Sequence, residues 1–198
     1  MRTYLINRIF YSLQGEGVRT GTANVFVRFA RCNLRCTVAT NGFDCDTDFE
    51  KGRPLTIAQI VERCRRLAPH DRWLLLTGGE PALQVDRPLV DGLHEAGYKL
   101  AIETNGTIAL PDGIDWITVS PKTANDKIRQ RRADEVKYVR ARGQPIPDNV
   151  VEAEHWLISP AFEGDRLDPR TLAWCIELVK HQPTWRLSVQ MHKFWQIP

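Results

Sequence analysis

Short apolar segments recur along the chain, and a polar stretch separates each one from the next. They cover residues 24–30, 73–76, 100–102, 116–119, 136–139, 156–158 and 187–189. Their apolar residues are nearly continuous and often β-branched, which is typical of strands that are buried on both faces. The pattern therefore predicts the strands of a sheet that is covered on both sides.

Helical patterns lie between several of these segments, and their ends carry capping residues. Three helices are predicted, over residues 56–67, 86–95 and 168–180. Thr56 and Asp86 are the predicted N-caps of the first two, Asp168-Pro169 begins the third, and Gly97 closes the second. Strands that alternate with helices imply right-handed βαβ units and a mostly parallel sheet.

Polar, glycine or proline residues follow each predicted strand. In a parallel β/α barrel these strand ends lie on one rim, and that rim carries the active site. The chain has 198 residues, whereas a complete eightfold barrel takes roughly 250. We therefore expect an α/β fold in which residues 1–198 form one domain. Its architecture would be a shortened, partly open parallel barrel of about six strands with three main helices.

Composition excludes several classes of protein. Hydrophobic residues make up 42% of the chain, which is too much for a disordered or fibrous protein. No apolar run approaches the ~20 residues of a membrane span, and the N-terminus lacks a signal-peptide core. These features predict a cytoplasmic protein without a membrane partner. The arginine-rich stretch 127–142 is interpreted as a solvated face rather than a nucleic-acid surface, because Asp134 and Glu135 interrupt it.

The five cysteines fall into two groups. Cys64 and Cys175 lie on apolar helical stripes and are expected in the core. Cys32, Cys36 and Cys45 share a loop without helical or strand periodicity, which favours a metal or cluster site. Structural zinc needs a fourth ligand. Only aspartates lie nearby, so three thiolates better suit a [4Fe-4S] cluster with one open iron. A non-catalytic zinc or iron-sulfur module remains an alternative.

The cysteine loop and the later segment TGGEP at 77–81 resemble the radical S-adenosylmethionine enzymes. That family commonly spaces its cysteines as CxxxCxxC, whereas the second gap here holds eight residues. The segments LQGEG at 13–17, CDT at 45–47, IETNG at 102–106, VSPK at 119–122 and the tail LSVQMHKFWQIP resemble one branch of the family. That branch contracts the ring of 6-carboxy-5,6,7,8-tetrahydropterin and releases ammonia to give 7-carboxy-7-deazaguanine. An activase of a glycyl-radical enzyme is the alternative within the family.

The resemblance implies a cofactor site built around a [4Fe-4S] cluster and S-adenosylmethionine. Cys32, Cys36 and Cys45 would be the iron ligands. The residues implied to contact S-adenosylmethionine are Gly78, Gly79, Glu80, Glu103, Ser120 and Lys122. Glycines without a Cβ atom allow a backbone to approach a ligand closely, and we expect their backbone groups to bind the methionine amine. Glu103 is expected to accept hydrogen bonds from the ribose.

The implied substrate carries a carboxylate, and a carboxylate calls for a cation. Arg28 is an unusual residue within a buried strand and is assigned to this carboxylate. The whole implied substrate set is Gln14, Glu16, Arg28, Thr77, His192 and Pro198. The CDT motif implies that the Thr47 hydroxyl binds Mg²⁺.

The resemblance also implies two protein partners, a flavodoxin-type reductant and a second copy of the chain in a homodimer. No direct contact with nucleic acid is expected, because the substrate is a free pterin. The enlarged gap between Cys36 and Cys45 is expected either to add a short helix or to dock the flavodoxin.

Overall fold

The computed structural model describes residues 2–45 and 47–198. Its strands are β1 (Tyr4–Leu13), β2 (Ala23–Phe29), β3 (Arg53–Leu55), β4 (Trp73–Gly78), β5 (Lys99–Thr104), β6 (Trp116–Val119), β7 (Arg132–Arg140), β8 (Glu152–Pro160), β9 (Phe162–Glu163), β10 (Arg166–Leu167) and β11 (Trp185–Leu187). Nine of them form one sheet in the order β11-β8-β7-β6-β5-β4-β2-β1-β3. Strands β9 and β10 form a separate hairpin.

Parallel pairing runs through the sheet from β2 to β11, which confirms the predicted α/β class. The sheet has more strands than the six expected, because β1 and β3 add an antiparallel edge. Strand β1 escaped prediction since its buried and exposed positions alternate along much of its length. Alternation of this kind is typical of an antiparallel strand with one face in the core, and a search for continuous apolar runs overlooks it.

The three predicted helices are confirmed with their N-caps. The described helices are α1 (Val38–Asn41), α2 (Ile57–Leu67), α3 (Arg87–Glu95), α4 (Pro169–His181) and α5 (Met191–Trp195). The Thr56 hydroxyl accepts a hydrogen bond from the Gln59 amide, and the Asp86 carboxylate accepts one from the Leu89 amide. Asp168 caps α4 in the same way. None of these helices combines the length and the apolar character that a membrane span requires.

The outer face of the sheet packs against the main helices. Cys64 of α2 and Cys175 of α4 are both fully buried within apolar clusters, as expected. In β7, Val136 and Tyr138 belong to the same cluster as Cys175. The side chain between them in sequence, that of Lys137, therefore points to the inner face of the curved sheet.

The inner face has an apolar layer with a polar layer two residues further along the strands. Phe10, Phe26, Leu75 and Ala101 form the apolar layer, in register across their strands. In the polar layer Arg28 pairs with Thr77, Glu103 with Thr118, and Thr118 with Glu135. Each strand thus places one polar side chain at the carboxyl end of the sheet.

The interpretation of residues 127–142 as a solvated face is wrong for the strand within it. Glu135 and Lys137 are 2% and 6% exposed, since β7 turns them toward the inner face. Arg129, Arg131 and Arg132 are exposed. The charged residues of this stretch therefore lie in two different environments, the solvent-exposed surface and the buried inner face of the sheet.

Candidate active site

Two adjoining cavities lie at the carboxyl ends of the parallel strands. The larger has a volume of about 790 Å³ and the smaller about 150 Å³. Five residues line both cavities: Glu16, Thr47, Thr77, Glu103 and Gln190. The two cavities therefore form one continuous site with a polar border between its halves.

The smaller cavity is lined by all three loop cysteines. Cys32 and Cys36 are partly buried, whereas Cys45 is exposed. Burial raises the pKa of the Cys32 and Cys36 thiols, and the nearby Lys122 ammonium opposes that shift. Three thiols on one cavity wall, beside a cation, form a donor set that fits an iron-sulfur cluster.

Helix α1 occupies the enlarged gap between Cys36 and Cys45. Thr37 caps this single turn, which ends at Gly42 with a φ of 83°, and the Cys45 amide then donates to the Cys36 carbonyl at 3.3 Å. The longer spacing is thus absorbed locally, and Cys45 returns to the cavity. Of the two alternatives for this gap, the structure contains the short helix.

The described residues contain no group of side chains of the kind that holds a structural zinc ion. No three His, Cys, Asp or Glu side chains among them are grouped closely enough to hold one metal. Asp44 accepts a hydrogen bond from the Val38 amide, and Asp48 accepts one from the Glu50 amide. Asp46, a third candidate for a zinc ligand, lies outside the described residues. A cubane cluster does not require its three thiolates to meet at one metal ion, because each thiolate binds a different iron.

All six residues implied to contact the cofactor line the smaller cavity. Gly78 and Gly79, however, are required by the backbone of the same chain that packs against them. A Cβ atom on Gly78 would lie 2.3 Å from the Phe29 carbonyl oxygen, and one on Gly79 would lie 2.0 Å from that of Arg31. Moreover, the Gly79 amide already donates to the Phe29 carbonyl at 3.0 Å. Packing against the adjacent backbone thus gives a second reason for these two glycines, and their expected contact with the methionine amine stays a prediction.

Glu80 lines this cavity, but its carboxylate is bound by the protein itself. The side chain is 1% exposed and accepts hydrogen bonds from Ala82 N (3.0 Å), Thr104 Oγ1 (2.6 Å) and Asn105 N (2.7 Å). Burial raises the pKa of Glu80, and these bonds oppose the shift. The carboxylate thus joins the turn after β4 to the end of β5.

Substituting Glu80 by alanine should therefore destabilise the fold. The change leaves three buried donors without an acceptor, and each such group costs about 1–3 kcal/mol. We expect the free energy of unfolding in urea to fall by at least about 2 kcal/mol. Glu62→Ala, which removes an exposed carboxylate on α2, should change it by less than about 0.5 kcal/mol. Unaltered stability in Glu80→Ala would contradict the structural role.

All six residues of the implied substrate set line the larger cavity. The chain end folds against the LQGEG segment, where Ser12 Oγ donates to the Pro198 carbonyl at 2.9 Å and the Met191 amide donates to Gly15 O at 2.8 Å. Gly15 is required here, since a Cβ atom would lie 2.3 Å from His192 Nδ1. The tail therefore forms one wall of the cavity.

Arg28 extends from β2 into the larger cavity. Its guanidinium carbon lies 5.5 Å from the centre of the Phe10 ring, a cation–π distance. Within the described part of the chain no carboxylate forms an ion pair with it. The guanidinium is therefore available to an anionic ligand.

Lys137 is a site residue that sequence reasoning missed. Its ammonium donates a short hydrogen bond to Glu16 Oε2 and lies 4.0 Å from Glu103 Oε1. Burial lowers the pKa of this lysine, but Glu16 and Glu103 more than offset the effect and raise it. Burial raises the pKa of Glu103, yet Lys137 and the hydrogen bonds that Glu103 accepts lower it overall. The Glu103 carboxylate at the border is thus held ionised.

Comparison with known proteins identifies the class to which this site belongs. A model of the radical SAM superfamily matches residues 26–149. The chain is 44% identical over 193 residues to the 7-carboxy-7-deazaguanine synthase of Bacteroides thetaiotaomicron, with 97% of each chain covered. It is 41% identical over 216 residues to that of Burkholderia multivorans, covering 99% and 100%. The chain therefore belongs to the 7-carboxy-7-deazaguanine synthase family of radical SAM enzymes.

A solved structure agrees with this assignment. The crystal structure of QueE from Escherichia coli superimposes with a TM-score of 0.74 at 25% identity, covering 96% of this chain and 95% of that one. The expected family and the partial-barrel fold are confirmed. Membership also implies the [4Fe-4S] cluster and S-adenosylmethionine that the three thiols suggested.

Proposed function

We propose that this enzyme contracts the ring of 6-carboxy-5,6,7,8-tetrahydropterin to 7-carboxy-7-deazaguanine, with loss of ammonia. The observation that carries the proposal is the division of the site into two adjoining cavities. Three thiols line one, and Arg28, whose guanidinium forms no ion pair with a described residue, lines the other. Such a site can hold a cofactor and a carboxylate substrate next to each other.

On the cofactor side, Cys32, Cys36 and Cys45 would hold three irons of a [4Fe-4S] cluster. When bound and reduced, the cluster would supply the electron for cleavage of S-adenosylmethionine, and the radical so formed would abstract hydrogen from C6 of the pterin. The residues proposed to orient the cofactor are Gly78, Gly79, Glu80, Glu103, Ser120 and Lys122. The contribution of the chain is to position these groups and to exclude water.

On the substrate side, Arg28 would bind the carboxylate through charge-assisted hydrogen bonds. Gln14 lines the larger cavity and Glu16 and Thr77 line both, and these three side chains would contact the pterin ring. His192 and the terminal carboxylate of Pro198 would close the opposite wall. The folded tail thereby supplies acceptors for the N–H groups of the pyrimidine edge.

Thr47 is the proposed Mg²⁺ ligand, because it lines the smaller cavity together with the cysteines and also the larger cavity that Arg28 lines. Mg²⁺ prefers oxygen ligands and commonly shares its shell with a substrate. We expect Thr47→Val to abolish the stimulation of turnover by added Mg²⁺, whereas Thr47→Ser should retain it. Equal Mg²⁺ dependence in both variants would exclude the hydroxyl as a ligand.

We further propose a cytoplasmic homodimer that receives electrons from a flavodoxin-type protein and makes no direct contact with nucleic acid. Arg31 and Arg35 are exposed beside the cysteine loop, which suits an acidic reductant. Sedimentation velocity tests the dimer. The ionic-strength dependence of reduction by flavodoxin tests the basic surface.

The function is tested by anaerobic incubation of the iron-loaded enzyme with dithionite, S-adenosylmethionine and the carboxypterin. We expect 7-carboxy-7-deazaguanine to accumulate. If 5′-deoxyadenosine forms without 7-carboxy-7-deazaguanine, radical S-adenosylmethionine chemistry is supported but the proposed substrate is wrong. A colourless protein that contains zinc would favour the non-catalytic module.

A further inference from the structure

The buried ammonium of Lys137 is surrounded by carboxylates from three parts of the fold. Its side chain is 7% exposed and lines the smaller cavity. Glu16 follows β1, Glu103 lies in β5, and Glu135 lies in β7 itself. Burying an unpaired ammonium costs several kcal/mol, so a lysine at this position depends on its anionic partners. The carboxylates also depend on the lysine, and this second dependence concerns the function of the site.

Glu16 and Glu103 are the carboxylates that line both cavities. Lys137 donates to the first and lies 4.0 Å from the second, so that one cation joins them across the inner face of the sheet. Gln14 Nε2 (2.9 Å) and Thr77 Oγ1 (3.3 Å) donate to the oxygens of Glu103. The border between the cavities is therefore a single hydrogen-bonded unit.

The remaining oxygen of Glu16 connects this unit to the tail. Gln190 Nε2 donates to Glu16 Oε1 at 3.1 Å, and Gln190 directly precedes α5. Because Glu16 Oε1 accepts this bond while Oε2 accepts the one from Lys137, the Glu16 carboxylate sets the orientation of the Gln190 amide. Contacts thus run from β7 through Lys137 and Glu16 to the element that forms one wall of the larger cavity.

We propose that Lys137 is a positioning residue that holds the carboxylates of Glu16 and Glu103 in place as hydrogen-bond acceptors at the border of the two cavities. This inference rests on the proposed function, since it gives Glu16 the N–H groups of the pterin to bind. Both carboxylates then act as acceptors and neither acts as a general acid. Substrate binding would become dependent on pH once the lysine is removed.

Other charged groups face this unit from the surrounding elements. Arg28 on β2 and Arg19 in the turn after β1 contribute positive charge near Glu103. Lys122 lines the smaller cavity and His192 the larger. Glu135 accepts hydrogen bonds from the Val18 amide and the Thr118 hydroxyl, both at 2.8 Å. Without Lys137, three carboxylates would remain close together, and protonation would relieve their repulsion.

The test measures equilibrium binding of 6-carboxypterin, a fluorescent oxidised analogue, without reductant between about pH 5.5 and 7.5, a range chosen to span the raised carboxyl pKa values expected here. Wild-type binding should vary little over this range. In Lys137→Met, binding should weaken about tenfold or more at the acidic end and recover as pH rises, because a pKa raised by one unit corresponds to a tenfold change. Lys137→Arg should restore the flat profile.

Two further variants keep the proposal falsifiable if Lys137→Met folds poorly. The double variant Lys137→Met/Glu16→Gln should bind weakly at every pH, since the titrating carboxyl group is gone. Lys99→Met removes an exposed lysine at the opposite end of β5 and should leave binding unchanged. Circular dichroism establishes that each variant is folded.

The outcomes separate this inference from the proposed function. If the wild-type protein fails to bind 6-carboxypterin at any pH, the proposed substrate is wrong. If the wild type binds and Lys137→Met shows the same pH profile, or an equal loss at every pH, Lys137 is not a positioning residue of this kind. The proposed substrate would then remain supported.

Discussion

Replacing Cys45 by alanine is expected to abolish cluster assembly and to reduce turnover to the uncatalysed background. Cys45 is the exposed member of the three thiols that line the smaller cavity, and helix α1 returns it there. With two thiolates left, the chain cannot bind three irons of one cubane. Iron and sulfide per chain, the brown absorbance and product formation are the measurements.

The matched control is Cys64→Ala, which removes a thiol that lies fully buried in α2. It should lower the free energy of unfolding by about 1–2 kcal/mol through lost packing, while the iron content stays unchanged. An intact iron complement in Cys45→Ala would remove this residue from the ligand set. Loss of iron in Cys64→Ala would show that the iron content follows protein stability rather than the identity of the ligands.

Arg28→Met is expected to cause the second largest loss. Truncating one partner of a buried charge pair costs about 2–5 kcal/mol, so kcat/KM for the carboxypterin should fall about thirtyfold or more. Because the interaction is with a non-reacting carboxylate, part of the loss should appear as a raised KM. Steady-state anaerobic kinetics at varied pterin concentration measure both quantities.

Arg8→Met provides the control for Arg28→Met. Arg8 is exposed on β1, and its guanidinium carbon lies 4.7 Å from the centre of the Phe10 ring, the ring that Arg28 also contacts. Its loss should leave kcat/KM within a factor of about two, as for most surface substitutions. If Arg28→Met binds the carboxypterin as tightly as the wild type does, another cation must bind the carboxylate.

Local signals in the sequence were sufficient for the helices and for most of the sheet. Thr56, Asp86 and Asp168 cap the predicted helices because each side chain bonds to an amide two or three residues away. The central strands were predicted because both of their faces are covered, which leaves an apolar run. The cysteines were separated correctly into core and cavity residues by periodicity alone.

The border between the cavities could not be predicted in this way. Lys137 and its partner Glu16 are 121 residues apart, and nothing near either residue reveals the contact. An alternating charged pair such as Glu135 and Lys137 is equally typical of an exposed strand, and only the curvature of the sheet decides which side is buried. Glu80 and Gly78 were singled out by motif as cofactor contacts, which stays a prediction, and the structure shows that the fold itself requires both residues.

An anaerobic crystal structure of the iron-loaded enzyme with S-adenosylmethionine and 6-carboxypterin is the most direct test of the central claim. That claim is that the smaller cavity binds the cofactor and the larger one the substrate. We expect the sulfonium compound in the smaller cavity, at an iron without a protein ligand. The pterin should occupy the larger cavity, with its carboxylate on Arg28. A cluster with four protein ligands, or a pterin bound away from Arg28 and the tail, would contradict the account.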